Sequence, residues 1–238
     1  MAHYNKVSIL IPAYNEENTI EKLLQRVKEA PALGLEKEIV VADDCSSDGT
    51  RKILKAIPGI SYIFHDRNQG KGAALKTAMH HASGDIFLIQ DADMEYDPFD
   101  YPVLLQPIID GQTDFVMGSR FHHEMPRFFI KNSPPFFSHF IGNIVIVTLT
   151  NFLFGQKNTD YEACYKAFTR SVAQAFKIET NGFAFDNELI CKTLRKGYRI
   201  LEVPVRYRPR LYQDGKKIGW RDGLVMCWNI IKWRFKKF

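Results

Sequence analysis

The sequence predicts an α/β fold built on a mostly parallel β-sheet with helices on both faces. Short apolar runs, typical of buried strands, alternate in the first half of the chain with segments whose apolar residues recur at helical spacing. Each alternation is the pattern of a βαβ unit, in which the strands run parallel and the helices cover the sheet. The chain has 238 residues, 45% of them hydrophobic and 25% charged, which suits one large globular core. This composition excludes a disordered chain and a collagen-like repeat.

The first half of the chain contains five predicted strands and four predicted helices. The first helix has apolar residues at i, i+3, i+4 and i+7 between Ile20 and Val27, and Asn18 with Glu21 is its predicted capping pair. Ser46 or Ser47 is predicted to cap the second helix, which ends near Ala56. The other helices are predicted at Gly72–Ala82 and Tyr101–Ile109. The strands are predicted at Val7–Ile11, Glu38–Ala42, Ile60–Phe64, Asp85–Gln90 and Phe115–Gly118.

The second half is less regular. A strand at Ile200–Tyr207 carries Pro204, which predicts a position at the edge of the sheet. The other elements are predicted at 136–153 (helix), Cys164–Phe168 (strand), 185–196 (helix) and from Trp220 onward (amphipathic helix). We therefore predict one domain, residues 1–219, followed by a basic amphipathic helix, residues 220–238.

Charge is unevenly distributed along the chain. Residues 195–238 carry 13 Lys and Arg side chains against 3 acidic ones, whereas the whole chain has a formal charge of only +5. A basic end of this kind indicates an anionic partner, which the charge alone leaves open between nucleic acid, a phosphorylated ligand and an acidic membrane.

One segment is long enough to be considered as a membrane span. The 25 residues between Lys131 and Lys157 carry no charge, but Ser, His, Asn and Thr side chains interrupt the run. His139, Asn143 and Thr150 fall on one side of the predicted helix, which favours a helix in the membrane interface or half-buried in protein over a true span. We expect no signal peptide, because the N-terminus leads straight into a strand.

Chemistry-bearing residues follow five predicted strands. Ligands of open parallel sheets bind at the carboxyl ends of the strands, so these segments are expected to meet at one edge. Each segment taken alone could equally be a turn or a helix cap. The segments are residues 12–16, 43–50, 68–72, 91–95 and 118–120.

Asp91 and Asp93 point most clearly to a ligand. They follow the apolar run IFLIQ, and carboxylates at the end of a buried strand are unfavourable unless something pairs with them. A divalent cation is the expected partner, because oxygen ligands suit Mg²⁺ or Mn²⁺. If the chain stays extended, Glu95 joins them on the same side.

Several other site classes are disfavoured. No G-x-G-x-x-G follows the first strand and no Walker loop occurs, which weakens a dinucleotide oxidoreductase and a P-loop enzyme. The four cysteines lie far apart, match no zinc-ligand spacing and are expected to be reduced thiols.

The motifs together resemble family 2 glycosyltransferases of the GT-A fold, a Rossmann-like α/β fold, and most closely the branch of polyprenyl-phosphate transferases that includes dolichol-phosphate mannose synthase. The resemblance covers nearly the whole chain in order. It rests on PAYNE at 12–16, ADDCSSDGT at 42–50, NQGKGAA at 68–74, QDADMEYDP at 90–98, GSRF at 118–121, TDYEACYKAF at 159–168, FAFDNEL at 183–189, EVPVRYRPR at 202–210 and GKKIGW at 215–220.

The resemblance implies a role for each matching residue. The implied donor-binding residues are Pro12, Tyr14, Glu16, Asp43, Asp44, Lys71, Gly72 and Asp91. The implied metal ligands are Asp91 and Asp93 of the D-x-D motif, with Glu95 near the metal. The implied acceptor-binding residues are Arg120, Arg210 and Lys217, and Asp93, Arg120 and Arg210 are the implied catalytic residues.

Two departures from the family pattern matter. We expect the chain to be without the C-terminal transmembrane helices of many relatives. It also has no Q-x-x-R-W motif, which disfavours processive polymer synthesis.

The resemblance implies an inverting enzyme that moves a sugar from a GDP- or UDP-sugar to a polyprenyl phosphate, with Mg²⁺ or Mn²⁺ on the donor diphosphate. A lipid phosphate needs orientation more than deprotonation, and six cationic side chains favour such an acceptor: Arg120, Arg206, Arg208, Arg210, Lys216 and Lys217. A sugar hydroxyl is the alternative acceptor and needs a general base, for which Asp160, Asp186 and Glu188 are candidates. An alternative of another class is a non-catalytic sugar-nucleotide-binding or membrane scaffold protein.

The last helix indicates where such an enzyme would work. Leu224, Cys227, Trp228, Ile231 and Phe235 form one helical face, and basic residues flank it. An ordinary helix packed on the sheet is the alternative interpretation. We predict a peripheral protein on the cytoplasmic face of an anionic membrane, with no nucleic-acid partner.

Overall fold

The computed structural model describes residues 3–121, 137–209 and 220–238, with side chains described for all of these except 137–141 and 220–222. The strands of the sheet are β1 Lys6–Ala13, β2 Glu36–Asp43, β3 Ser61–Phe64, β4 Ile86–Ile89, β5 Phe115–Ser119, β6 Lys166–Thr169 and β7 Ile200–Pro204. The helices are α1 Ile20–Glu29, α2 Thr50–Ala56, α3 Lys71–His81, α4 Tyr101–Ile109, α5 Phe137–Phe154, α6 Arg170–Gln174, α7 Phe185–Arg195 and α8 Trp220–Phe235. A short 3₁₀ turn, Pro98–Asp100, precedes α4.

The described strands form one sheet in the order β3-β2-β1-β4-β6-β5-β7. The pairs β1–β2, β2–β3, β1–β4 and β5–β7 are parallel, which confirms the predicted mostly parallel sheet. Strand β6 runs antiparallel to both β4 and β5 and was not predicted to do so. Strand β7 lies at the edge, as Pro204 predicted.

The core lies along the two central strands. Residues Val7, Ile9, Leu10 and Ile11 of β1 and all four residues of β4 are buried, because helices cover both faces of the sheet there. This double burial explains why these strands read as continuous apolar runs. The chain steps from β1 to β2 to β3 and then returns to β4. Because crossovers between parallel strands are right-handed as a rule, α3 is expected on the opposite face of the sheet from α1 and α2.

Both predicted helix caps are wrong. The N-cap of α1 is Thr19, which makes no side-chain cap; its hydroxyl donates to Glu16 Oε2 at 2.9 Å. Helix α2 begins only at Thr50, after Gly49. The loop before it is used differently, since Ser46 Oγ accepts the backbone N–H of Asn15 at 2.9 Å. The N–H of Thr50 donates instead to Asp48 Oδ1 at 3.0 Å, so a neighbouring aspartate takes the place of the predicted serine caps.

Helices α5 and α8 pack against each other and against α7. In α5, Ile146 and Thr150 are buried while Phe152 is 81% exposed, so the helix is half-buried in protein, one of the two predicted placements. In α8, Met226, Ile230 and Trp233 face inward. Among the described residues, no helix has the length and apolar character needed to cross a membrane.

Candidate functional site

The order of strands in the sheet reverses between β1 and β4, and open α/β sheets bind their ligands at the carboxyl edge of such a reversal. Three loops at this edge contain a non-glycine residue in the left-handed region: Asn15 after β1 (φ 53°), Cys45 after β2 (φ 66°) and Met94 after β4 (φ 64°). Such conformations are unfavourable and persist only where surrounding contacts fix them. Their clustering marks this edge as the candidate site.

The loop after β1 holds Pro12, Tyr14 and Glu16, three of the residues implied to bind the donor. Pro12 is half-buried at the end of the strand, and Tyr14 is exposed. The Glu16 N–H donates to Thr50 Oγ1 at 2.9 Å, and this bond fastens the loop to the start of α2. The loops after β1 and β2 are therefore held together.

Asp43, the last residue of β2, and Asp44, which follows it, hold the neighbouring loops in place. Asp43 is fully buried, and its Oδ1 accepts the N–H of Ser46 at 3.1 Å and the Nε–H of Arg51. Asp44 is also buried and accepts the backbone N–H groups of Gln69 at 2.9 Å and Gly70 at 2.7 Å. Both carboxylates thus hold loops of the predicted donor site, and a direct contact with a donor stays a prediction for each.

Asp44 also contacts a residue that the sequence analysis did not single out. Its Oδ1 lies 2.7 Å from His65 Nδ1, and His65 Nε2 lies 2.9 Å from Thr77 Oγ1. The histidine therefore ties the carboxylate to helix α3. No motif marks this residue, because its two contacts join separate segments of the chain.

Lys71 is the first residue of α3, and its ammonium reaches the end of β4. The distance from Lys71 Nζ to Asp91 Oδ1 is 2.8 Å, and Asp186 Oδ2 lies 3.9 Å away. Burial alone lowers the pKa of Lys71, but the two carboxylates hold it well above its ordinary value. For Asp91, burial is outweighed by Lys71, so the pKa of this carboxyl lies below its usual range. The pair is charged on both sides.

The loop after β4 turns instead of continuing the strand. Residues 92–93 form a turn, and Met94 is left-handed. The extended arrangement that would align Asp91, Asp93 and Glu95 is therefore wrong. Asp93 Oδ1 accepts the N–H of Glu95 at 3.1 Å, and the Tyr207 hydroxyl donates to Glu95 Oε2 at 3.1 Å.

The residues present fit a divalent cation shared with a ligand. Within the described residues, no three His, Cys, Asp or Glu side chains are grouped closely enough to hold a metal ion by themselves. Mg²⁺ is usually held by one or two carboxylates together with substrate phosphates, so Asp91 and Asp93 are a sufficient protein contribution. In this structure Lys71 balances the charge of Asp91, and metal binding by Asp91 and Asp93 stays a prediction.

Arg120 follows β5 and pairs with Asp160, one of the three candidate bases. Its Nε and Nη2 donate to the carboxylate at 2.7 Å and 2.9 Å, and its backbone N–H donates at 3.0 Å. Asp160 is fully buried. The pair is therefore structural as well as near the site, and the acceptor-binding role of Arg120 and the base role of Asp160 both stay predictions.

Of the other cationic residues, the structure describes Arg206 and Arg208, and they have different surroundings. Arg206 binds Asp100 and Asp97, at 2.6 Å and 3.3 Å, and is therefore a structural anchor for the turn before α4. Arg208 is exposed, and its backbone N–H donates to Glu95 O at 2.8 Å, so it stands beside the loop after β4. Arg210, Lys216 and Lys217 lie outside the described residues.

Of the other two candidate bases, Asp186 lies in the site and Glu188 does not. Asp186 contacts Lys71 as described and also Lys166, whose Nζ lies 2.9 Å from its Oδ1. Glu188 is fully buried and binds Lys192 at 2.6 Å. Asp186 is thus the carboxylate with access to Lys71 and Asp91.

Lys166 and Cys164 are site residues that the sequence analysis missed. Lys166 is fully buried on β6, and Cys164 Sγ accepts the N–H of Asp91 at 3.1 Å. A lysine inside the apolar run ACYKAF was a usable signal, since a buried ammonium needs a carboxylate partner. The role of Cys164 had no such signal, because its contact is with a backbone group on another strand.

Comparison with known proteins gives a family match and related chains. The profile of Glycosyl transferase family 2 matches residues 8–176. The low-salt glycan biosynthesis hexosyltransferase Agl6 of Haloferax volcanii is 30% identical over 227 residues, covering 94% of this chain and 53% of that protein. The dolichol-phosphate mannosyltransferase of Pyrococcus furiosus is 28% identical over 238 residues, covering 96% of this chain and 64% of that protein. The chain thus spans roughly half to two-thirds of the length of these relatives.

A solved structure supports the fold. The glucosyl-3-phosphoglycerate synthase of Mycobacterium tuberculosis, in complex with Mn²⁺, UDP and phosphoglyceric acid, superimposes with a TM-score of 0.70 at 19% identity. The match covers 96% of this chain and 77% of that one. The predicted fold class, an α/β sheet covered by helices, is confirmed.

Proposed function

This chain belongs to glycosyl transferase family 2, and from that premise we propose that it transfers a sugar from a nucleotide-sugar donor to a polyprenyl phosphate. The observation that carries the proposal is the ion pair of Lys71 and Asp91 at the carboxyl edge of the sheet, where the strand order reverses between β1 and β4, with Asp93 in the same loop as Asp91. A diphosphate needs compensating positive charge, and carboxylates can supply it only through a cation. Donor phosphates and a metal ion are the ligands that this combination suits.

The donor is proposed to be a GDP- or UDP-sugar. Its base and ribose are proposed to lie on the loop of Pro12, Tyr14 and Glu16. Asp43 and Asp44 hold the adjoining loops, and the resemblance adds Gly72, at the start of α3, to the proposed donor-binding residues. The similar synthase from Mycobacterium tuberculosis binds UDP and Mn²⁺, which supports a uridine donor and a divalent metal.

The metal is proposed to be Mg²⁺ or Mn²⁺, held by Asp91 and Asp93 with Glu95 nearby. When bound, it neutralises charge that develops on the departing diphosphate. Lys71, which is paired with Asp91 at 2.8 Å, is in reach of the same charge and is proposed to contact the diphosphate. Lys166 Nζ lies 2.9 Å from Asp186 Oδ1 beside it.

A lipid phosphate is proposed as the acceptor because it is an anionic nucleophile that needs orientation. Arg208 beside the loop after β4, together with Arg120, Arg210 and Lys217, is proposed to supply that orientation. The dolichol-phosphate mannosyltransferase of Pyrococcus furiosus is a relative whose name gives such an acceptor.

A sugar hydroxyl remains the second candidate acceptor. The position of Asp186, whose Oδ2 lies 3.9 Å from Lys71 Nζ, favours it, because a carboxylate near the site could accept the proton of the hydroxyl. A non-catalytic sugar-nucleotide-binding protein is the alternative of another class.

The protein is proposed to act as a peripheral protein at the cytoplasmic face of an anionic membrane. Helix α8 carries an outward stripe of exposed apolar residues, and basic residues occupy its end: Leu224, Trp228, Ile231 and Phe235 form the stripe, and Lys232, Arg234, Lys236 and Lys237 are the basic residues. Exposed aromatic and basic side chains on one helix are typical of interfacial binding.

Incubation with a panel of sugar nucleotides, undecaprenyl phosphate and Mg²⁺ or Mn²⁺ tests the proposal. The expected result is a lipid-linked sugar that forms only without EDTA. Transfer to glycan hydroxyls alone would select the second candidate. Absence of both transfer and donor hydrolysis across the panel would favour the non-catalytic alternative.

A further inference from the structure

Loop 179–182 joins the start of α3 to helices α7 and α8. We propose that Glu188 and Lys192 are positioning residues that hold this loop against α3, set the position of Lys71 and link it to α8. The inference deepens the proposed function, on which the role of Lys71 at the donor phosphates rests.

The loop is packed directly on the first turn of α3. The Ala73 N–H donates to Asn181 O at 3.0 Å. A Cβ added at Gly70 would lie 2.6 Å from Asn181 O, and one added at Gly72 would lie 2.8 Å from Thr180 O. These distances leave no room for a side chain, so the loop packs directly against the residues on either side of Lys71.

Glu188 fixes the other side of the loop. Its two carboxylate oxygens accept the backbone N–H groups of Glu179 and Thr180, each at 2.8 Å. Lys192 Nζ lies 2.6 Å from Glu188 Oε1 and donates to Lys177 O at 2.6 Å. Both side chains are buried, so this ion pair is shielded from solvent and holds both ends of the segment from Lys177 to Thr180.

Helix α8 joins the same group of contacts through its last turns. Lys192 Nζ stands 3.8 Å from the centroid of the Trp233 ring, a cation–π contact with a fully buried indole. Lys236 Nζ lies 2.7 Å from Glu179 Oε2. The end of α8 therefore contacts the positioning pair and the loop itself.

The first half of α8 stands away from the loop. A groove of ≈ 260 Å³ lies between them, lined by Val225, Met226 and Asn229 on the helix and by Thr180, Gly182, Phe183 and Ala184 on the other side. A displacement of α8 is therefore transmitted to the loop at Trp233 and Lys236. If α8 binds a membrane as proposed, this contact connects membrane binding to Lys71.

Hydrogen–deuterium exchange on the free protein tests the positioning role without any ligand. Glu188→Gln keeps the side-chain shape but removes the charge and one of the two acceptor oxygens. We expect exchange to become at least about fivefold faster both in residues 177–183 and in residues 70–76, with α4 unchanged as the internal control. Faster exchange confined to 177–183 would show a merely local role and overturn the proposal.

Nucleotide binding gives the second measurement. With Mn²⁺ present, the dissociation constants of UDP and GDP are measured for the wild type and for Glu188→Gln. The nucleotide that binds the wild type is expected to bind the variant at least about fivefold more weakly, and unchanged affinity would contradict the proposal. If neither nucleotide binds the wild type, the proposed donor is wrong, and the exchange experiment decides the positioning role alone.

The link to α8 is tested on exposed residues, whose replacement leaves the core intact. Lys236→Glu puts two like charges together, and the charge swap Glu179→Lys with Lys236→Glu restores the attraction. We expect the single variant to speed exchange of 177–183 and 70–76 about twofold and the swap to return it to the wild-type rate. If these residues exchange as fast in the charge swap as in the single variant, the link to α8 is overturned. If Glu188→Gln does not fold, the single variant and the charge swap together test whether the loop and α3 are connected.

Discussion

Lys71 and Asp91 illustrate how single residues are matched at the edge of the sheet. Each is held in its charged form by the other, as the pKa directions of both groups show. A cation that binds Asp91 competes with Lys71, and a diphosphate that enters with the cation offers Lys71 a new partner. The ion pair is therefore suited to being exchanged for a metal and a phosphate at the same time.

Asp93→Asn tests the metal site. Loss of one ligand carboxylate is expected to lower turnover about 100-fold or more, because metal stabilisation of the leaving group is worth several kcal/mol. Asp66→Asn, a change of the same kind in an exposed residue of a neighbouring loop, is the control and should leave turnover unchanged. Steady-state kinetics over a range of Mg²⁺ and Mn²⁺ concentrations measure the effect, and a variant as fast as the wild type would contradict the assignment.

Arg120→Ala is expected to destabilise the protein by about 3–5 kcal/mol, because it leaves the fully buried Asp160 carboxylate without its partner. Arg206→Ala is the comparison. It breaks two ion pairs, but its side chain is 59% exposed, so a loss of about 1 kcal/mol or less is expected. Urea denaturation measures both changes. If both variants lost the same free energy of unfolding, Arg120 would not be a structural residue, and acceptor binding would be its only proposed role.

Glu162 provides a prediction on pH. Burial raises the pKa of this carboxyl, so the unfolded chain releases the proton at a lower pH than the folded one. Stability that is present at acid pH is therefore lost as the pH rises through the folded pKa. Glu162→Gln, which can still accept from Asn187 Nδ2, is expected to be more stable than wild type at neutral pH.

Thermal unfolding from about pH 4 to pH 8 measures this difference, which should shrink towards the acid end. A variant less stable than wild type at every pH would show that the carboxylate is favourable in the folded state.

The sequence predicted some of these residues and not others. Asp91 follows β4, and Lys71 lies at the end of the loop after β3. The sequence placed both at the carboxyl edge of one parallel sheet, and this was enough to predict that they lie close together. Arg120 and Asp160 are 40 positions apart in the chain, and no local pattern in the sequence pairs them. The carboxylates of Asp43 and Asp44 were predicted at the site, but their loop-holding contacts depend on tertiary geometry.

At the scale of elements, α8 has two apolar faces where the sequence suggested one. The face of Leu224, Trp228, Ile231 and Phe235 is exposed, and the opposite face of Met226, Ile230 and Trp233 packs on α5 and α7. Trp residues stand on both faces, so composition alone could not say which face packs. Contact with a neighbouring helix made that choice.

The two tryptophans form a matched pair for an experiment. Trp228 is 65% exposed and Trp233 is fully buried. Trp233→Ala is expected to lower stability by about 3–5 kcal/mol, and Trp228→Ala by about 0.5 kcal/mol or less. Trp228→Ala is also expected to weaken sedimentation with anionic liposomes. If Trp228→Ala sediments as well as the wild type, the outward stripe is not the membrane surface.

The antiparallel strand β6 shows where prediction of elements from sequence ends. The periodicity around Cys164–Phe168 correctly indicated a strand, although the strand begins two residues later, at Lys166. The direction of β6 was not predicted, because it depends on pairing with β4 and β5, which lie far away in the sequence. Non-local pairing of this kind leaves no period-2 or period-3.6 signal.

At the scale of the whole molecule, charge is concentrated at one end of the chain. Residues 220–238 carry five basic groups against one acidic group. Each basic group near an anionic surface contributes about 1 kcal/mol, and salt screens the attraction. The wild type is therefore expected to sediment with anionic liposomes at low salt and to be released at high salt.

The matching variant replaces Lys232, Lys236 and Lys237 by Glu. This variant is expected to stay in the supernatant when the liposomes are sedimented. Neutral liposomes are the lipid control. Binding of the wild type that resists high salt would contradict an electrostatic, peripheral attachment.

The position of β6 also has a consequence for the order in which the chain can fold. Strands β1 to β4 pair only with one another until β6 arrives, and they are complete by residue 89. Strand β5, by contrast, has β6 and β7 as its two neighbours, and both come later in the chain. During synthesis, therefore, the half of the sheet that carries Asp43 and ends at the Asp91 loop can form early. Strand β5 has no partner for nearly fifty residues, until β6 is made. In that interval its unpaired edges are open to pairing with any other strand.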